Sequence, residues 1–459
     1  MQKLTIRILL AIMLVASSLW QSATAQTAVS SPYSRYGIGS TNIFSDAVKS
    51  SIGGVGYAFS RNNMVNLKNP AALSGIDTMS FVFDVGFHAD FLSFTSSTAK
   101  SSGMSGALSH ISMAFPINKH LKMAISLLPL SDINYETSEI VQVTDTTFYR
   151  NRYNGTGGLN KAIVGLSYNW DKTNDKFALG ANVEYMFGSY YKSSAIIFYD
   201  NTDTLFRSSD PDHPRYSVDS TLFNCRDEIR YNIQNFNINL GFQYFHTLNN
   251  GSKVGIGGSY VLPLTLKTKN IRQRYTFISN NGLETHKDMV IDSSYNGKIK
   301  FPTSFGFGLS YEKPQKFFIG ADAQFTQWSE FRLQTDGYND PLQDSWNIGV
   351  GGEFTPDVYG SYIKQMTYRL GLNYDNGSLC FDNDINGRPY ISSQGTRLSQ
   401  YSVAVGFGLP VKKSTTLINL SFEYGKRGTI DNSLIRENFF RIGFSLSAKD
   451  RWFFKRKYQ

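Results

Sequence analysis

The sequence predicts an all-β protein: a transmembrane antiparallel β-barrel of about 14 strands, with an N-terminal segment held in its lumen as a plug. Three observations carry this. Apolar and polar residues alternate with period two in one segment after another between residues 79 and 448. The connections between those segments alternate between short and long. A Gly-, Ser- and Asn-rich stretch of different character precedes the first strand.

The chain opens with a leader. Lys3 and Arg7 form a basic start, and Ile8 to Leu19 is an apolar run shorter than the roughly 20 residues a spanning helix needs. Ala23-Thr24-Ala25 is a small-residue cleavage site. Residues 1–25 are therefore expected to be a signal peptide for Sec export, with the mature chain starting at Gln26. No Cys follows the apolar run, so no lipoprotein anchor is expected. No later segment offers 18 consecutive apolar residues, which leaves strands as the means of crossing a bilayer. The mean hydropathy of −0.27 agrees, because lipid-facing and lumen-facing residues cancel in the average. A chain of 459 residues exceeds an ordinary compact domain, but a closed barrel holds that length as one unit.

Residues 26–78 are expected to form the plug. They contain Ser31-Pro32-Tyr33-Ser34-Arg35-Tyr36-Gly37-Ile38-Gly39, then Gly53-Gly54-Val55-Gly56, and close with Asn69-Pro70-Ala71. The glycine run follows no strand and opens no recognisable helix, so a phosphate loop is disfavoured. It suits a compact segment turning within a lumen.

Residues 79–448 are expected to be the barrel. In 162–170, Ala162, Val164, Leu166, Tyr168 and Trp170 share one face, and Gly165, Ser167 and Asn169 the other. In 235–244, Phe236, Ile238, Leu240, Phe242 and Tyr244 oppose Asn235, Asn237, Asn239, Gly241 and Gln243. Segments 346–354, 366–375, 417–424 and 440–447 repeat the pattern. Successive strand side chains point to opposite faces, so each segment has one greasy, aromatic-rich face and one small, Gly-rich polar face. A solvated sandwich surface would carry Lys and Glu on the second face. The short links are Ile117–Lys119, Asp171–Asn174, Asn249–Gly251, Lys313-Pro314 and Lys412-Lys413, with Thr355–Lys364 modestly longer. Segments 199–227 and 271–296 are expected to be long polar loops. Sorting by parity is what short periplasmic turns and long external loops produce. By that count the plug should begin and end on the periplasmic side.

Pro129, in Met123–Ser131, cannot donate to a ladder, and a closed barrel has no edge to hide it. Leu128-Pro129-Leu130 is therefore the place where pairing should break, the alternative being a harmless bulge.

Residues 449–459 are expected to be a basic periplasmic tail. The formal charge of +9 is scattered apart from the run Lys449–Lys457, so nucleic acid is not an expected partner, whereas anionic lipid headgroups are. Cys225 and Cys380 fit no zinc spacing; export permits one bridge, and two unpaired residues are the alternative. Six scattered histidines, no G-x-S-x-G elbow and no H-E-x-x-H leave no enzyme signature, and no catalytic residue, metal or cofactor is expected. Asp382-Asn383-Asp384-Ile385-Asn386-Gly387 resembles half a calcium loop but has Ser393 where the bidentate Glu belongs.

The leader, the strand count, the domain before the first strand and Asn69-Pro70-Ala71 together resemble the FadL family of outer-membrane transporters for long-chain fatty acids and other hydrophobic compounds. Ser31–Gly37 and Asp450–Tyr458 are similar to a Bacteroidetes branch of such proteins. The resemblance implies a hatch gated around Asn69, Pro70 and Ala71. It also implies an inward kink of the third strand at Leu128, Pro129 and Leu130, through which apolar solute leaves sideways into the bilayer. The implied function is passive uptake of hydrophobic small molecules across the outer membrane. The alternative is a FadL-like barrel serving as a protein-partner component of a secretion or surface-assembly system, with the partner docked on the external loops. A general porin is a third reading, which the plug disfavours.

Overall fold

The computed structural model describes residues 31–41, 46–142, 147–200, 223–280, 283–334, 341–385, 389–412 and 414–451. The expected signal peptide, most of the 199–227 loop and the end of the basic tail lie outside these residues.

Fourteen antiparallel strands follow one another around a closed wall: β1 (Ser80–Thr95), β2 (Lys100–Pro116), β3 (Leu121–Gln142), β4 (Thr147–Asp171), β5 (Asp175–Asp200) and β6 (Asn224–Thr247). Then come β7 (Lys253–Val261, resuming as Leu264–Asn280), β8 (Leu283–Phe301, resuming as Ser304–Lys313) and β9 (Phe317–Thr326, with a short continuation Arg332–Gln334). The circuit ends with β10 (Ser345–Phe354), β11 (Thr367–Asp375), β12 (Gln400–Pro410), β13 (Leu417–Arg427) and β14 (Arg436–Arg451). β14 pairs with β1 from Ser80↔Arg451 to Thr95↔Arg436, which closes the barrel and leaves those two strands no free edge. β7 and β8 are interrupted at Pro263 and Pro302, where the ladder loses a donor.

The two faces sort as the alternation requires. Leu166, Trp170, Phe236, Ile238 and Leu240 are exposed on the outside, while Ser167, Asn237 and Asn239 are buried on the inside. A large apolar face turned outward and a polar face turned inward is the reverse of a water-soluble core.

The wall is uneven in height. β10 to β13 have 9 to 11 residues, about what a tilted strand needs to cross a bilayer. β4, β5 and β6 have 25, 26 and 24. At the short-turn end the strands stop level, with Asp175 opposite His246 and Lys313 opposite Phe317, so the excess lies beyond the lipid-facing belt at the long-loop end. The expected loop 271–296 is part of this excess. It is a hairpin of β7 and β8, paired from Leu264↔Phe301 to Asn280↔Leu283. Near the belt its outward positions are Thr265, Lys267, Lys269, Lys298 and Lys300, and only farther out are Ile271, Met289 and Val290 exposed, so the alternation that marks a membrane strand is missing there.

The ladder between β2 and β3 is short. It runs from Pro116↔Lys122 to Ile111↔Leu127 and stops. β2 continues beside β1 alone as far as Lys100. On its other side β3 stays paired with β4, with a register shift between Pro129 and Ser131. Ser40 and Thr41 pair with Asp132 and Ser131 on the side of β3 that β2 has left. Cys225, on β6, and Cys380, in a small three-stranded sheet of the long-loop end, are both free thiols.

Candidate functional site

The described residues before β1, 31–41 and 46–79, lie against the inward faces of the strands, from one end of the barrel toward the other. At the long-loop end, the Tyr33 hydroxyl donates to the Ile435 carbonyl (2.9 Å) and accepts from the Ile435 amide (2.8 Å). Ser31 hydrogen-bonds Glu437, and Lys192 Nζ donates to the Arg35 carbonyl at 2.6 Å. Residue 31 therefore sits at the end opposite the short turns. The expectation that the segment begins on the same side as it ends is corrected for the described part of the chain. The large aromatic and aliphatic cluster here, including Tyr33, Ile133, Tyr190, Tyr231 and Leu398, explains the anchoring: an apolar chamber inside the tall wall buries the tyrosines.

Farther in, α1 (Ala47–Ser51) is capped by Asp46, whose carboxylate accepts from the Val48 amide at 2.9 Å. Burial pushes the Lys49 ammonium pKa down, against the opposing pull of Asp46 at 3.7 Å. Gly53 and Gly54, at φ 68° and 81°, then turn the chain. The backbone here presses onto the wall, and the wall is glycine where it does so. A Cβ on Gly351 or Gly371, which face each other in register, would collide with Ile52 and Gly53. One on Gly257 would strike the Tyr57 carbonyl. The Gly-rich inner faces are thus close-approach seats for the segment.

Asn69-Pro70-Ala71 occupies such a seat. Asn69 Oδ1 accepts from the Ala71 amide (3.0 Å), capping the short helix Pro70–Gly75. Its Nδ2 donates to the carbonyls of Tyr57 (2.7 Å) and Phe242 (2.9 Å). Gly180 on β5 and Gly241 on β6 leave room for Pro70, Ala71 and Asn69. This tripeptide is therefore tied to the wall.

Charge pairs fix the rest. Arg61 bridges Glu312 on β8 (2.9 Å) and Glu353 on β10, and Glu353 also takes Arg369 from β11 at 3.1 Å. Lys68 Nζ meets Asp322 on β9 at 2.9 Å, and the same carboxylate accepts from the amides of Gly56 (2.7 Å) and Tyr57 (3.0 Å). Sequence reading missed these groups. The available signal was a charged residue at an inward position of an otherwise small, polar strand face.

Leu128, Pro129 and Leu130 lie just past the end of the β2–β3 ladder. They border a space of about 180 Å³ whose other walls include Lys49, Tyr57, Leu67 and Lys68. The two predicted sites are therefore neighbours, since Lys68 precedes Asn69. Pro129 also lines a cavity of about 460 Å³ that reaches His88 and Asp90 on β1, Ser105 and Ala107 on β2, Thr156 on β4 and Arg441 on β14. Leu130 lines a third, of about 350 Å³, beneath the long loops, with Tyr33, Tyr36, Phe301, Trp328 and Leu342. Asp382 and Asn383, from the half calcium loop, lie in the small outer sheet, on Cys380–Asn383.

Solved structures share this architecture, two of them as follows. A FadL homologue from Pseudomonas aeruginosa is 14% identical, with a TM-score of 0.53 over 89% of this chain and 98% of its own. The toluene transporter TodX of Pseudomonas putida is 14% identical, with a TM-score of 0.52 over the same shares. At such identity the likeness is one of fold, a FadL-like outer-membrane barrel. No curated protein matches the chain. The family model described as BamG matches residues 4–459, essentially end to end, and the chain belongs to the BamG family.

Proposed function

We propose that this barrel is an outer-membrane channel for passive uptake of hydrophobic compounds, long-chain fatty acids among them. The observation that carries the reading is the succession of spaces that meet at Leu128-Pro129-Leu130. The chamber under the long loops shares Leu130 with the inner space, and the inner space shares Pro129 with the cavity that reaches Ser105 and Ala107 on β2. Solute enters from the loops, passes the bulge at Leu130 and leaves sideways where β2 and β3 are unpaired. An apolar chain taking that route reaches the bilayer without crossing bulk water. His88, Asp90 and Arg441 along the lateral cavity suit a solute with a polar head and an apolar tail better than a pure hydrocarbon. The segment 26–78 is the plug in this scheme. Release of Asn69, Pro70 and Ala71 from their contacts with the wall is the step that gates the path.

The test is uptake and binding of a fluorescent long-chain fatty acid by proteoliposomes of wild type and Pro129→Ala. Wild type is expected to exceed a barrel of unrelated function, and Pro129→Ala to lose most of the difference as β2 and β3 zip further. If wild type does not exceed the control, the transport reading is lost.

A second reading, a barrel that docks a protein partner, is favoured by one feature: the wall of β3 to β8 rises beyond the belt, where transport alone needs no such height. Affinity purification in mild detergent separates the two. A stoichiometric protein partner supports docking, and copurifying lipid without one supports transport.

A further inference from the structure

Beyond the lipid-facing belt, the outward positions of β7, β8 and β9 change character. On β7 and β8 the belt ends on Tyr260 and Phe305, whose rings stack at 4.9 Å, and on the neighbouring β6 it reaches Phe236. Both strands then break at their prolines. The outward side chains that follow include Lys267 and Lys269 on β7, Lys298 and Lys300 on β8, and Arg332 on the continuation of β9. Lys267 lies directly opposite Lys298, and Lys300 directly opposite Arg332.

Like charges at facing positions of a sheet repel, and here two such pairs stand side by side. The compensation within the chain is partial. Lys300 pairs with Glu330, and Arg332 donates to the carbonyls of Ser329 (2.6 Å) and Phe331 (2.7 Å). Among the described residues, the ammonium groups of Lys267, Lys269 and Lys298 have no hydrogen-bonded or ion-paired partner. A row of cations on a rigid sheet is therefore held together and left short of counter-charge.

We propose that this patch binds the phosphate groups of an anionic lipid in the outer leaflet. Height decides between occupants. On β6 the outward apolar run ends at Phe236, and Asn232, four residues on, pairs with Lys269, so the patch starts just above the aromatic rim, where lipid headgroups meet a barrel wall, at the long-loop, external end. It faces outward, away from the lumen and its solute path. A phosphate with two negative charges can neutralise two facing ammonium groups at once, which relieves the repulsion that the register builds in. Each cation near a charged membrane surface adds to the attraction, and salt weakens it.

The experiment is native mass spectrometry of the full barrel in detergent, titrated with a bis-phosphorylated lipid A and with the same lipid stripped of phosphate. Wild type is expected to prefer the phosphorylated lipid by roughly 10- to 100-fold, with the preference falling as salt rises. The variant K267Q/K269Q/K298Q, at exposed positions, is expected to lose that preference while keeping the heat-modifiable gel mobility of a folded barrel. Equal binding of the two lipids by wild type overturns the proposal without recourse to any variant, and so does an undiminished preference in the triple variant. Displacement of the lipid by equimolar inorganic phosphate would assign the patch to a soluble anion and overturn it as well.

Discussion

Asn69 is the residue through which the inner segment is tied most economically to the wall. One side chain caps a helix and holds two backbone carbonyls, one of them on β6. Asn69→Ala removes all three bonds and leaves two buried carbonyls and one amide without that partner. It is expected to cost about 2–3 kcal/mol, read as a lower urea midpoint and as faster proteolysis between residues 46 and 76. Gly257 tests the same packing from the other side. Gly257→Ala drives a methyl group into the Tyr57 carbonyl, and backbone cannot yield as a flexible side chain does. The expected result is a displaced segment inside an intact barrel, seen as raised single-channel conductance with unchanged heat-modifiable mobility. Gly106→Ala is the control, because its Cβ would meet only the His88 carbonyl, at 3.5 Å. Equal conductance in the two variants would mean that the glycine seats do not position the segment.

At the scale of elements, period two made the strands legible wherever one face meets lipid. In β4 the apolar set Val164, Leu166, Tyr168 and Trp170 is the exposed face of the folded protein. The same rule failed in the hairpin of β7 and β8, because beyond the belt the outer face does not have to be apolar: residues 271–296 read as loop, whereas they pair as strands up to Asn280↔Leu283. Pro129 was legible as a disturbance, since a proline inside a closed wall has few places to go. That Ser40 and Thr41 pair with the side of β3 left by β2 was not legible, because two residues carry no periodicity. The inward charges were legible only as departures from a small polar face, and their partners are remote in sequence: Arg61 reaches Glu312 and Glu353 across about 250 residues or more. That network makes its own prediction. Arg61→Met leaves Glu312 without its partner and Glu353 with Arg369 alone, inside the barrel. Breaking a buried pair from one side costs about 3–5 kcal/mol; the residual exposure of Arg61 and the surviving Arg369 contact place the expected loss at about 2–3 kcal/mol. Adding Glu312→Gln should return part of it. Unfolding midpoints of the single and double variants measure this, and an unchanged midpoint for Arg61→Met would show that water already screens the network.

The whole molecule is a cylinder cut obliquely, flush at the short-turn end and tall on one side at the other. Its orientation follows from the economy of the turns: short connections suit the periplasmic end and long ones the cell surface. The inner segment, anchored near Ile435 at one end and by Asn69 and Arg61 toward the other, spans that length, so sidedness decides which end of the segment a solute meets first. Two exposed apolar residues report on it. Val290 is 61% exposed on the tall hairpin, and Ile117 is 52% exposed in the first short turn. In a background with Cys225 and Cys380 replaced by Ser, Val290→Cys is expected to react with a membrane-impermeant maleimide on intact cells. Ile117→Cys should react only after the outer membrane is permeabilised. The opposite pattern would invert the molecule. It would place Tyr33 and the apolar chamber on the periplasmic side and turn the proposed uptake path into an export path, with the basic patch of β7 to β9 facing the inner leaflet. Labelling of both sites on intact cells would mean that the wall does not seal, which the continuous pairing of β14 with β1 opposes.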